Sequence, residues 1–436
     1  MDRSEIKPRL WAFSSREHVS SEPVADDLEC DVLIIGGGFT GCAAAYKAAR
    51  SGARIVLLEA EEIGFGGSGR NVGLVNAGLW LPPDDIIHRL GHTMGHRLID
   101  ALGVGPDLVF ELIAEEGIQC DAVRQGTLHV AHSEDGLENL QNRFRQGNAV
   151  GAPLQMLNAE DTERRLGTSG FHGALFDPRA GTIQPLAYCR GLARAAERAG
   201  AMLFGQSRVR DLRHTGQGWM AKVNGQTITA QSVIHATNAY HDTIKGGPKP
   251  SFATVHYSQF ATAPLTPAQR EVILPDGEGC WDTALVMTSF RLDAEGRLIL
   301  GTMGNAEGIG GTVHRNWAER KLAELYPQLA GTAFTHIWQG RIAMTADHLP
   351  KVVAFGPDAF AIYGYSGRGI APGTVFGICA ARALLGDGET AFPLPVLPAY
   401  SEHLTRSKTL FYEAGATLTH ALPQIPKVSK FIGEKR

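Results

Sequence analysis

The chain has 436 residues, of which 44% are apolar and 20% are charged, so its composition is that of a folded protein and two domains are expected. Its net charge of -4 excludes the basic surface typical of nucleic-acid binding, and we expect no nucleic-acid partner. The six cysteines are scattered without a CxxC pair, which predicts free thiols in a reducing, cytoplasmic compartment and no metal site.

The first predicted elements form a βαβ unit. Residues 31–35 are a short apolar run, residues 41–51 are alanine-rich and helical, and residues 53–58 are a second buried strand. The right-handed crossover of such a unit places the start of the helix at the carboxyl end of the first strand. Helical sequence is next expected in 84–116, and the alternating pattern of 126–133 predicts a half-exposed strand of another, antiparallel sheet.

The later elements are helices and strands in mixed order. Residues 185–200 have proline at the start and glycine at the end of a helical pattern, which predicts a helix. The sequence then predicts a first domain assembled from three separated pieces, with a second sheet inserted between them, in an α/β fold with an α+β second domain. The other expected elements are strands in 201–214 and 232–240, a hairpin in 289–302 and a helix in 374–385.

Gly36, Gly38 and Gly41 have the spacing of a dinucleotide-binding fingerprint. Such a motif is weak alone, but here a strand precedes it, a helix follows it, and Glu59 ends the next strand, where an acid binds ribose hydroxyls. The N–H groups at the start of the helix would hold the pyrophosphate. Because the acid disfavours a 2′-phosphate, NADP is not expected, and FAD and NAD remain.

A second glycine loop, GFGGSGRNVG at 64–73, follows the ribose-binding acid and favours FAD. It resembles the flavin-contacting loop of the D-amino-acid oxidase-like (DAO) family of FAD-dependent oxidoreductases. The resemblance covers about residues 28–385 and is nearest to the group of gamma-glutamylputrescine oxidoreductase, glycine oxidase and sarcosine oxidase. The further matching segments are 173–201, 235–240 (HATNAY), 338–352 and 363–373 (YGYSGRGIAPG).

The resemblance implies non-covalent FAD in a Rossmann-like FAD-binding domain, with an inserted antiparallel-sheet substrate domain. The expected FAD-binding pieces are 28–90, 170–244 and 336–390, the substrate domain is 91–169 and 245–335, the N-terminal segment 1–27 is extended, and 391–436 is a helical C-terminal tail. The residues expected to contact the cofactor are Gly36, Gly38, Phe39, Thr40, Gly41, Glu59, Ala60, Gly67, Ser68, Gly69, Arg70, Asn71, Gly73, Leu74, Val209, Ala236, Thr237, Asn238, Gly340, Arg341, Gly367, Arg368, Gly369, Ile370 and Ala371.

The implied reaction is the oxidation of an amine. A hydride leaves the carbon that bears the nitrogen and reaches N5 of the flavin, and water hydrolyses the resulting imine. The expected substrate is a small-molecule amine with an acidic group, first a gamma-glutamylputrescine-like compound and second an amino acid such as L-pipecolate, glycine, sarcosine or a D-amino acid.

Arg291 occupies the kind of place where glycine oxidase-like members carry the arginine that binds a substrate carboxylate. The alternative interpretation is a surface arginine of the hairpin. The other predicted catalytic residues, in the closing loops, are Arg341, His348 and Tyr365, and His256, Tyr257 and Trp281 are candidates for the substrate wall.

Two positions depart from sarcosine oxidase-like members. Gly340 stands where they carry the cysteine that tethers the flavin, so covalent attachment is not expected. Ile299 stands where they carry an oxygen-activating lysine, so oxygen, a quinone or a carrier protein stays open as electron acceptor.

Several other functions are less favoured. A tRNA-modifying FAD protein is opposed by the acidic charge, and a non-catalytic flavin scaffold stays an alternative. A hydrolase nucleophile elbow is not expected, because Arg70 and Arg368 replace its last glycine. The sequence contains no run of about 18 apolar residues, so no membrane span is predicted. The tail 406–436 could lie on a membrane surface.

Overall fold

The structure is a computed structural model, and it describes residues 9–422. The strands are β1 (Leu28–Ile35), β2 (Ile55–Leu58), β3 (Leu74–Val75), β4 (Thr127–Val130), β5 (Gln155–Leu157), β6 (Ala174–Asp177), β7 (Gly181–Thr182), β8 (Met202–Phe204), β9 (Val209–His214), β10 (Trp219–Val223), β11 (Gln226–His235), β12 (Ala253–Pro264), β13 (Gly279–Asp282), β14 (Thr288–Leu292), β15 (Arg297–Met303), β16 (Phe334–Met344), β17 (Lys351–Gly356), β18 (Ala359–Tyr363) and β19 (Val396–Leu397). The helices are α1 (Leu10–Ser14), α2 (Phe39–Arg50), α3 (Pro83–Leu90), α4 (His92–Gly103), α5 (Gly105–Glu115), α6 (Glu134–Ala149), α7 (Ala159–Leu166), α8 (Pro185–Arg198), α9 (Pro267–Arg270), α10 (Gly311–Leu325), α11 (Ile370–Arg382) and α12 (Thr405–Ala421).

The predicted nucleotide domain is built on a nine-stranded sheet with the order β19-β17-β18-β11-β1-β2-β8, to which β10 and β9 are added beside β11. β1 pairs in parallel with β2 and with β11, which confirms the predicted βαβ unit. Because side chains alternate along a strand, Val32 and Ile34 pack on one face of the sheet, and Leu33 and Ile35 pack on the other. Burial on both faces explains why the second half of β1, residues 32–35, is wholly apolar.

Helices α2 and α11 pack side by side on one face of this sheet. Small residues allow their backbones to approach closely, because a Cβ at Gly377 of α11 would lie 2.3 Å from the carbonyl oxygen of Thr40. A Cβ at Gly373, in the first turn of α11, would lie 3.3 Å from the hydroxyl oxygen of Thr40. The starts of the two helices are therefore neighbours.

The second domain is built on an eight-stranded sheet with the order β16-β12-β15-β14-β13-β4-β6-β5. Alternate residues of its strands, such as Phe260, Phe290 and Leu300, pack with α10 in the core of this domain. The residues between them face the nucleotide domain. The register of the sheet therefore decides which side chains of the second domain can meet a ligand there.

The predicted elements are present, with four differences. The strand expected in 232–240 ends at His235, and residues 238–240 form a 3-10 helix. The helical stretch 84–116 is divided into α3, α4 and α5, with Gly91 at φ +75° between the first two. β4 was expected to be half-exposed but is buried on both faces, because Leu128 enters the core of the second domain and His129 faces the nucleotide domain. The strand expected in 201–214 is divided into β8 and β9.

The predicted domain boundaries also need correction. Helices α4 and α5, expected in the substrate-domain piece 91–169, pack against α11 in the core of the nucleotide domain. Strands β6 and β16 begin in or near the expected FAD-binding pieces 170–244 and 336–390, yet they pair within the eight-stranded sheet. Hydrophobic periodicity shows that one face of an element is buried, but it does not show which neighbour covers that face.

The two ends of the chain each contribute a helix. The segment 1–27 was expected to be extended, but it contains α1, whose Leu10 and Trp11 are buried between the domains. The predicted helical tail 391–436 contains α12, which packs against β12. Residues 1–8 and 423–436 lie outside the described residues.

Among the described residues, the segment Ile370–Ala391 is long and apolar enough to cross a membrane by length and composition. Of its most apolar stretch, 61% is buried inside the protein, where α11 packs against α2 and α5. Such burial is typical of a core helix.

Candidate active site

A cavity of about 970 Å³ lies between the two sheets. Glu59 and Val209 of the nucleotide domain line one part of it, and Tyr257 and Trp281 of the second domain line another. This volume is at the upper end of the range for small-molecule sites. It suits a site in which a large cofactor and a substrate bind together.

The fingerprint glycines form the turn between β1 and α2. Gly36 has φ +110°, and a Cβ there would lie 2.9 Å from the carbonyl carbon of Ala236, so only glycine fits. A Cβ at Gly41 would lie 1.9 Å from the carbonyl oxygen of Gly36, so the first turn of α2 rests directly on the fingerprint backbone. Gly38 precedes α2 and supplies no capping side chain. The start of α2 is therefore suited to bind a diphosphate.

Glu59 directly follows β2, as predicted. Its Oε2 accepts the N–H of Gly37 at 2.7 Å, and its Oε1 accepts the N–H of Glu61 at 3.0 Å. Burial raises the pKa of Glu59, and these backbone N–H groups oppose the rise. The carboxylate is thus held at the cavity wall beside the fingerprint, where ribose hydroxyls would bind.

The second glycine loop is fixed by its own side chains. Asn71 donates through Nδ2 to the carbonyl of Gly67 at 2.9 Å, and the N–H of Phe39 donates to Ser68 Oγ at 3.0 Å. The loop is thereby attached to the first turn of α2.

Arg70 attaches the same loop to the second domain. Its Nε donates to the carbonyl of Phe65 at 2.8 Å and its Nη1 donates to the carbonyl of Gln339, in β16, at 3.1 Å. Its guanidinium lies 4.6 Å from the centre of the Phe65 ring. Burial lowers the pKa of Arg70.

The start of α11 reaches the cavity beside the start of α2. Ser366 and Gly367 have positive φ values of +49° and +95°, and they turn the chain toward α11, whose preceding residue, Gly369, provides no side-chain cap. The hydroxyl of Tyr365 lies 2.7 Å from Thr40 Oγ1, so the two helix starts are linked. Burial raises the pKa of Tyr365, which keeps the phenol neutral.

Most residues that the sequence predicted to contact the cofactor line this cavity. Four of them do not line it. Gly41, Gly69 and Gly73 lie behind the wall, where each packs against a backbone oxygen, and Ala371 packs on Gly105. The predicted residues that do line it are Gly36, Gly38, Phe39, Thr40, Glu59, Ala60, Gly67, Ser68, Arg70, Asn71, Leu74, Val209, Ala236, Thr237, Asn238, Gly340, Arg341, Gly367, Arg368, Gly369 and Ile370.

Arg368 is a partly buried cation in the cavity wall. Its guanidinium carbon lies 4.9 Å from the ring centre of Trp80 and 5.4 Å from that of Trp281. Its Nη1 donates to the carbonyl of Ala77 at 2.9 Å, but its Nε has no hydrogen-bond partner. Burial lowers the pKa of Arg368 to about 9, so the guanidinium is still protonated at neutral pH.

The register of the second sheet aligns a row of side chains along this part of the cavity. Trp281, Ser289, Gly301 and Gln259 are successive neighbours across β13, β14, β15 and β12. At the ends of the row, Trp281 Nε1 is a donor and Gln259 Oε1 is an acceptor, and neither has a hydrogen-bond partner. At about 4.8 Å per strand, their Cα atoms are about 14 Å apart.

Sequence analysis did not identify two residues of this region, His129 and Arg143. The ring of His129 stacks on Trp281 with centres 5.0 Å apart, and burial and the charges of Arg143 and Arg368 lower its pKa, so it is neutral. Arg143 donates through Nη1 to the carbonyl of Trp80 at 2.9 Å. In the sequence, Arg143 lies in a polar helical segment, α6, where a solvent-exposed arginine is common, so nothing marked it as a site residue.

Three of the four predicted catalytic residues, Arg341, His348 and Tyr365, line the cavity. Arg341 is exposed, with its guanidinium 5.4 Å from the ring centre of Tyr240. His348 has φ +56° and its Nδ1 lies 3.1 Å from the sulfur of Met344, and burial lowers its pKa. Their roles in the reaction stay predictions.

Arg291 does not line the cavity, and the prediction that it binds a substrate carboxylate is not supported. Its Nη1 donates to the carbonyls of Val72, Gly73 and Ile183 at 3.4, 3.2 and 2.7 Å, and its Nε donates to that of Leu292 at 3.0 Å. The side chain is 2% exposed, so the alternative of a surface arginine is also wrong. Arg291 joins the second domain to the backbone of the nucleotide domain.

Strand periodicity places three further residues discussed in the sequence analysis in different surroundings. Tyr257 lines the cavity and donates its hydroxyl to Ser289 Oγ at 3.1 Å. Its neighbour His256 faces the other side of the sheet, where its Nδ1 lies 3.7 Å from a carboxylate oxygen of Glu413. Ile299 lies outside the cavity, buried against Trp338.

A profile described as "DAO: FAD dependent oxidoreductase" matches residues 31–383. The chain belongs to the DAO family of FAD-dependent oxidoreductases. The protein named "Probable oxidoreductase OrdL" of Haemophilus influenzae is 30% identical over 388 residues, which are 87% of this chain and 89% of that protein. The gamma-glutamylputrescine oxidoreductase of Escherichia coli is 29% identical over 409 residues, which are 91% of this chain and 93% of that protein. The crystal structure of glycine oxidase from Geobacillus kaustophilus has a TM-score of 0.71 at 22% identity, covering 86% of this chain and all of the other.

The DAO family consists of FAD-dependent oxidoreductases that act on amine or amino-acid C–N donors, and the cavity fits this cofactor. The glycine turn and the uncapped start of α2 suit its diphosphate, and Glu59 suits its ribose. The fingerprint alone left FAD and NAD open, and the family identifies the cofactor as FAD.

Proposed function

We propose that this DAO-family protein oxidises an amine that carries a carboxylate at its far end, as a gamma-glutamylputrescine-like compound does. Bound FAD would accept the hydride from the carbon next to the amine nitrogen. The observation that carries the proposal is Arg368, a partly buried arginine in the cavity wall whose Nε is inaccessible to solvent and has no hydrogen-bond partner.

The surroundings of Arg368 favour an anionic ligand. A desolvated cation is costly unless it is paired, and its one hydrogen-bond acceptor is the neutral carbonyl of Ala77. The nearest carboxylate that influences it, Asp177, is paired with Arg179. Trp281 Nε1 adds a second unused donor beside the guanidinium. A substrate carboxylate would accept from both groups and offset the burial of the charge.

The length of the polar row favours a substrate whose two polar ends are well separated. Gln259 Oε1 is an unused acceptor suited to an amine N–H, and the Cα atom of Gln259 is three strands, about 14 Å, from that of Trp281. The name of the Escherichia coli relative, gamma-glutamylputrescine oxidoreductase, supports such a substrate.

The cofactor is proposed to be held without a covalent bond. None of the six cysteines, all within residues 9–422, lines the cavity, and Gly340 in the wall has no side chain to attach. Precipitation with acid should leave the yellow colour in the supernatant, and colour retained in the pellet would contradict this.

The decisive experiment compares gamma-glutamylputrescine with putrescine, which has the same amine but no carboxylate, in the wild-type protein and in Arg368→Gln. We expect the wild type to prefer gamma-glutamylputrescine in kcat/KM, and the variant to lose about 100-fold with that compound only. This corresponds to the 2–5 kcal/mol typical of removing one partner of a desolvated charged pair. The readout is anaerobic bleaching of the flavin band, which does not depend on the electron acceptor.

Arg145→Gln is the matched control, because Arg145 is an exposed arginine of α6 that does not line the cavity. Equal turnover of both compounds by the wild type, or an equal loss with both in Arg368→Gln, would refute the proposal. Faster reduction by short amino acids such as glycine or L-pipecolate would favour the amino-acid alternative. Hydrogen peroxide formed during turnover in air would identify oxygen as an acceptor.

A further inference from the structure

Helix α12 packs on the second domain through a polar inner side. The N–H of Thr254 in β12 donates to Thr409 Oγ1 at 2.9 Å, and the N–H of Asn305 donates to Glu413 Oε1 at 3.0 Å. His420, near the end of the helix, is fully buried between α12 and α10. These contacts attach the helix to the second domain, and the large apolar side chains of the helix take no part in them.

The outer side of α12 is apolar and exposed. Leu410 and Phe411 are 70% and 74% exposed, and Leu418 and Leu422 are 63% and 58% exposed. At 100° per residue these positions lie on one side of the helix, opposite Glu413 and His420. Four large apolar side chains on one surface helix form a patch of the kind that marks an interaction site.

Ile309, in the loop before α10, extends this patch. Its side chain is fully exposed, and a Cβ at the adjacent Gly310 would lie 3.0 Å from Thr417 Oγ1 of α12. The exposed apolar surface therefore combines two separate elements of the second domain.

The sequence from α12 onward is basic, although the whole chain has a net charge of -4. Of its two basic residues within α12, Lys408 is paired with Glu402 at 3.0 Å. Within α12 the one carboxylate, Glu413, is turned inward against histidines, so the outer side has no negative charge. The sequence from 405 to 436 holds six basic residues and two acidic ones; the basic residues are Arg406, Lys408, Lys427, Lys430, Lys435 and Arg436.

We propose that the outer side of α12, together with Ile309, docks on an anionic phospholipid surface. Leucine and phenylalanine beside lysine and arginine are the composition of helices that lie in the membrane interface, where apolar burial and attraction to anionic lipid add together. A second copy of the chain is less suitable, because symmetric packing of this side would bring together two copies of the basic sequence that follows α12. The proposal goes beyond the proposed function and does not depend on it.

The test is sedimentation of the FAD-loaded protein with vesicles. We expect binding to vesicles of equal phosphatidylglycerol and phosphatidylcholine, at least tenfold weaker binding to pure phosphatidylcholine, and weaker binding as salt increases. The double variant Phe411→Ser/Leu418→Ser should lose at least tenfold in binding to the anionic vesicles. Its bound FAD and its melting temperature report that it is folded, since the inner side of α12 is unchanged.

The matched control is Val104→Ser/Val272→Ser, which removes two apolar side chains that are 58% and 53% exposed elsewhere on the surface. No binding of the wild type to anionic vesicles, or an equal loss in the control, would overturn the proposal. The proposal would also be overturned if the wild type did not bind vesicles but formed a dimer in light scattering, and if Phe411→Ser/Leu418→Ser abolished that dimer. None of these readouts uses enzyme activity, so they are independent of the substrate proposed above.

Discussion

Arg291 is buried and Arg368 is partly buried, and the donors of the two arginines have different partners. Arg291 donates to four backbone carbonyls, whereas Arg368 donates to one and retains a free Nε. A guanidinium surrounded by acceptors holds segments of backbone together, and one with unused donors in a cavity wall can bind a ligand. The number of satisfied donors therefore separates the two roles.

Arg291→Ala tests this distinction. Removing the side chain leaves the buried carbonyls of Val72 and Ile183 without a donor, which should lower the free energy of unfolding by about 2–5 kcal/mol. At temperatures where the variant is folded, KM should change less than about twofold. Denaturant unfolding and steady-state kinetics measure the two effects.

Arg213→Ala, at an exposed position, is the control for stability. A large rise in KM with unchanged stability would restore Arg291 to the substrate site.

At the scale of elements, α12 is attached through a cluster of titratable groups. His420 Nδ1 lies 2.7 Å from His314 Nδ1 of α10, and the ring stacks on Trp317. The carboxylate of Glu413 lies 3.3 Å from His314 and 3.7 Å from His256 of β12. Arg320 of α10 adds a positive charge, and it donates to the carbonyl of His420. The helix therefore depends on the protonation states of groups from three elements.

The attachment of α12 should weaken in acid. Burial, with repulsion from His314, lowers the pKa of His420 to about 3, so its stabilising effect is complete above 6.5 and is lost as the pH falls toward 3. Burial opposes ionisation of Glu413, but hydrogen bonding with histidines outweighs it and lowers the pKa, so its contribution is lost below about 4.5. The hydrogen-exchange protection factors of the α12 amides, which are corrected for the intrinsic pH dependence of exchange, should fall progressively below pH 6.5.

His420→Phe retains an aromatic ring to stack on Trp317 but removes the titrating group. We expect the protection factors in this variant to be lower at pH 7, because Thr302 Oγ1 loses its contact with Nε2, and to depend less on pH between 6.5 and 4.5. The same pH profile in both proteins would show that His420 is not responsible.

At the scale of the whole molecule, α1 connects the N-terminus, the flavin-binding loop and the second domain. Trp11 is 1% exposed and its ring contacts Trp338 edge-on at 5.8 Å between centres. Its Nε1 donates to the carbonyl of Asn71 at 2.7 Å, and its carbonyl accepts from Gln184 Nε2 at 2.9 Å. One side chain thus packs on the second domain and supports the cofactor loop of the first.

Trp11→Ala should therefore affect stability and FAD binding together. The void left by the missing indole ring should lower the free energy of unfolding by about 3–5 kcal/mol. The carbonyl of Asn71, which loses its donor, should weaken FAD binding. Denaturant unfolding and FAD titration of the apoprotein measure these effects. Val104→Ala, at a 58% exposed site, is the control. Unchanged FAD affinity in a destabilised Trp11→Ala protein would show that α1 contributes only packing.

Local chemistry in the sequence predicted much of the cofactor site. The turn of Gly36 and Gly41 allows no Cβ, and Glu59 must follow the next strand, so composition and spacing alone indicate a dinucleotide site. The loop 64–73 similarly lies where its resemblance predicted, in the cavity wall. These features depend on backbone within one βαβ unit and its adjacent loop, and short-range sequence patterns report such geometry directly.

The tertiary structure alone decided which side chains face the substrate region. Arg291, His129 and Arg143 come from separate elements, and their surroundings depend on strand register and on how the two sheets pack. A one-residue change of register would turn Arg291 and His129 to the opposite face of the sheet, and nothing in a single sequence determines long-range register. The sequence by itself therefore determined the family and the adenosine half of the cofactor site, whereas packing between the sheets decided that Arg368, and not Arg291, lines the cavity.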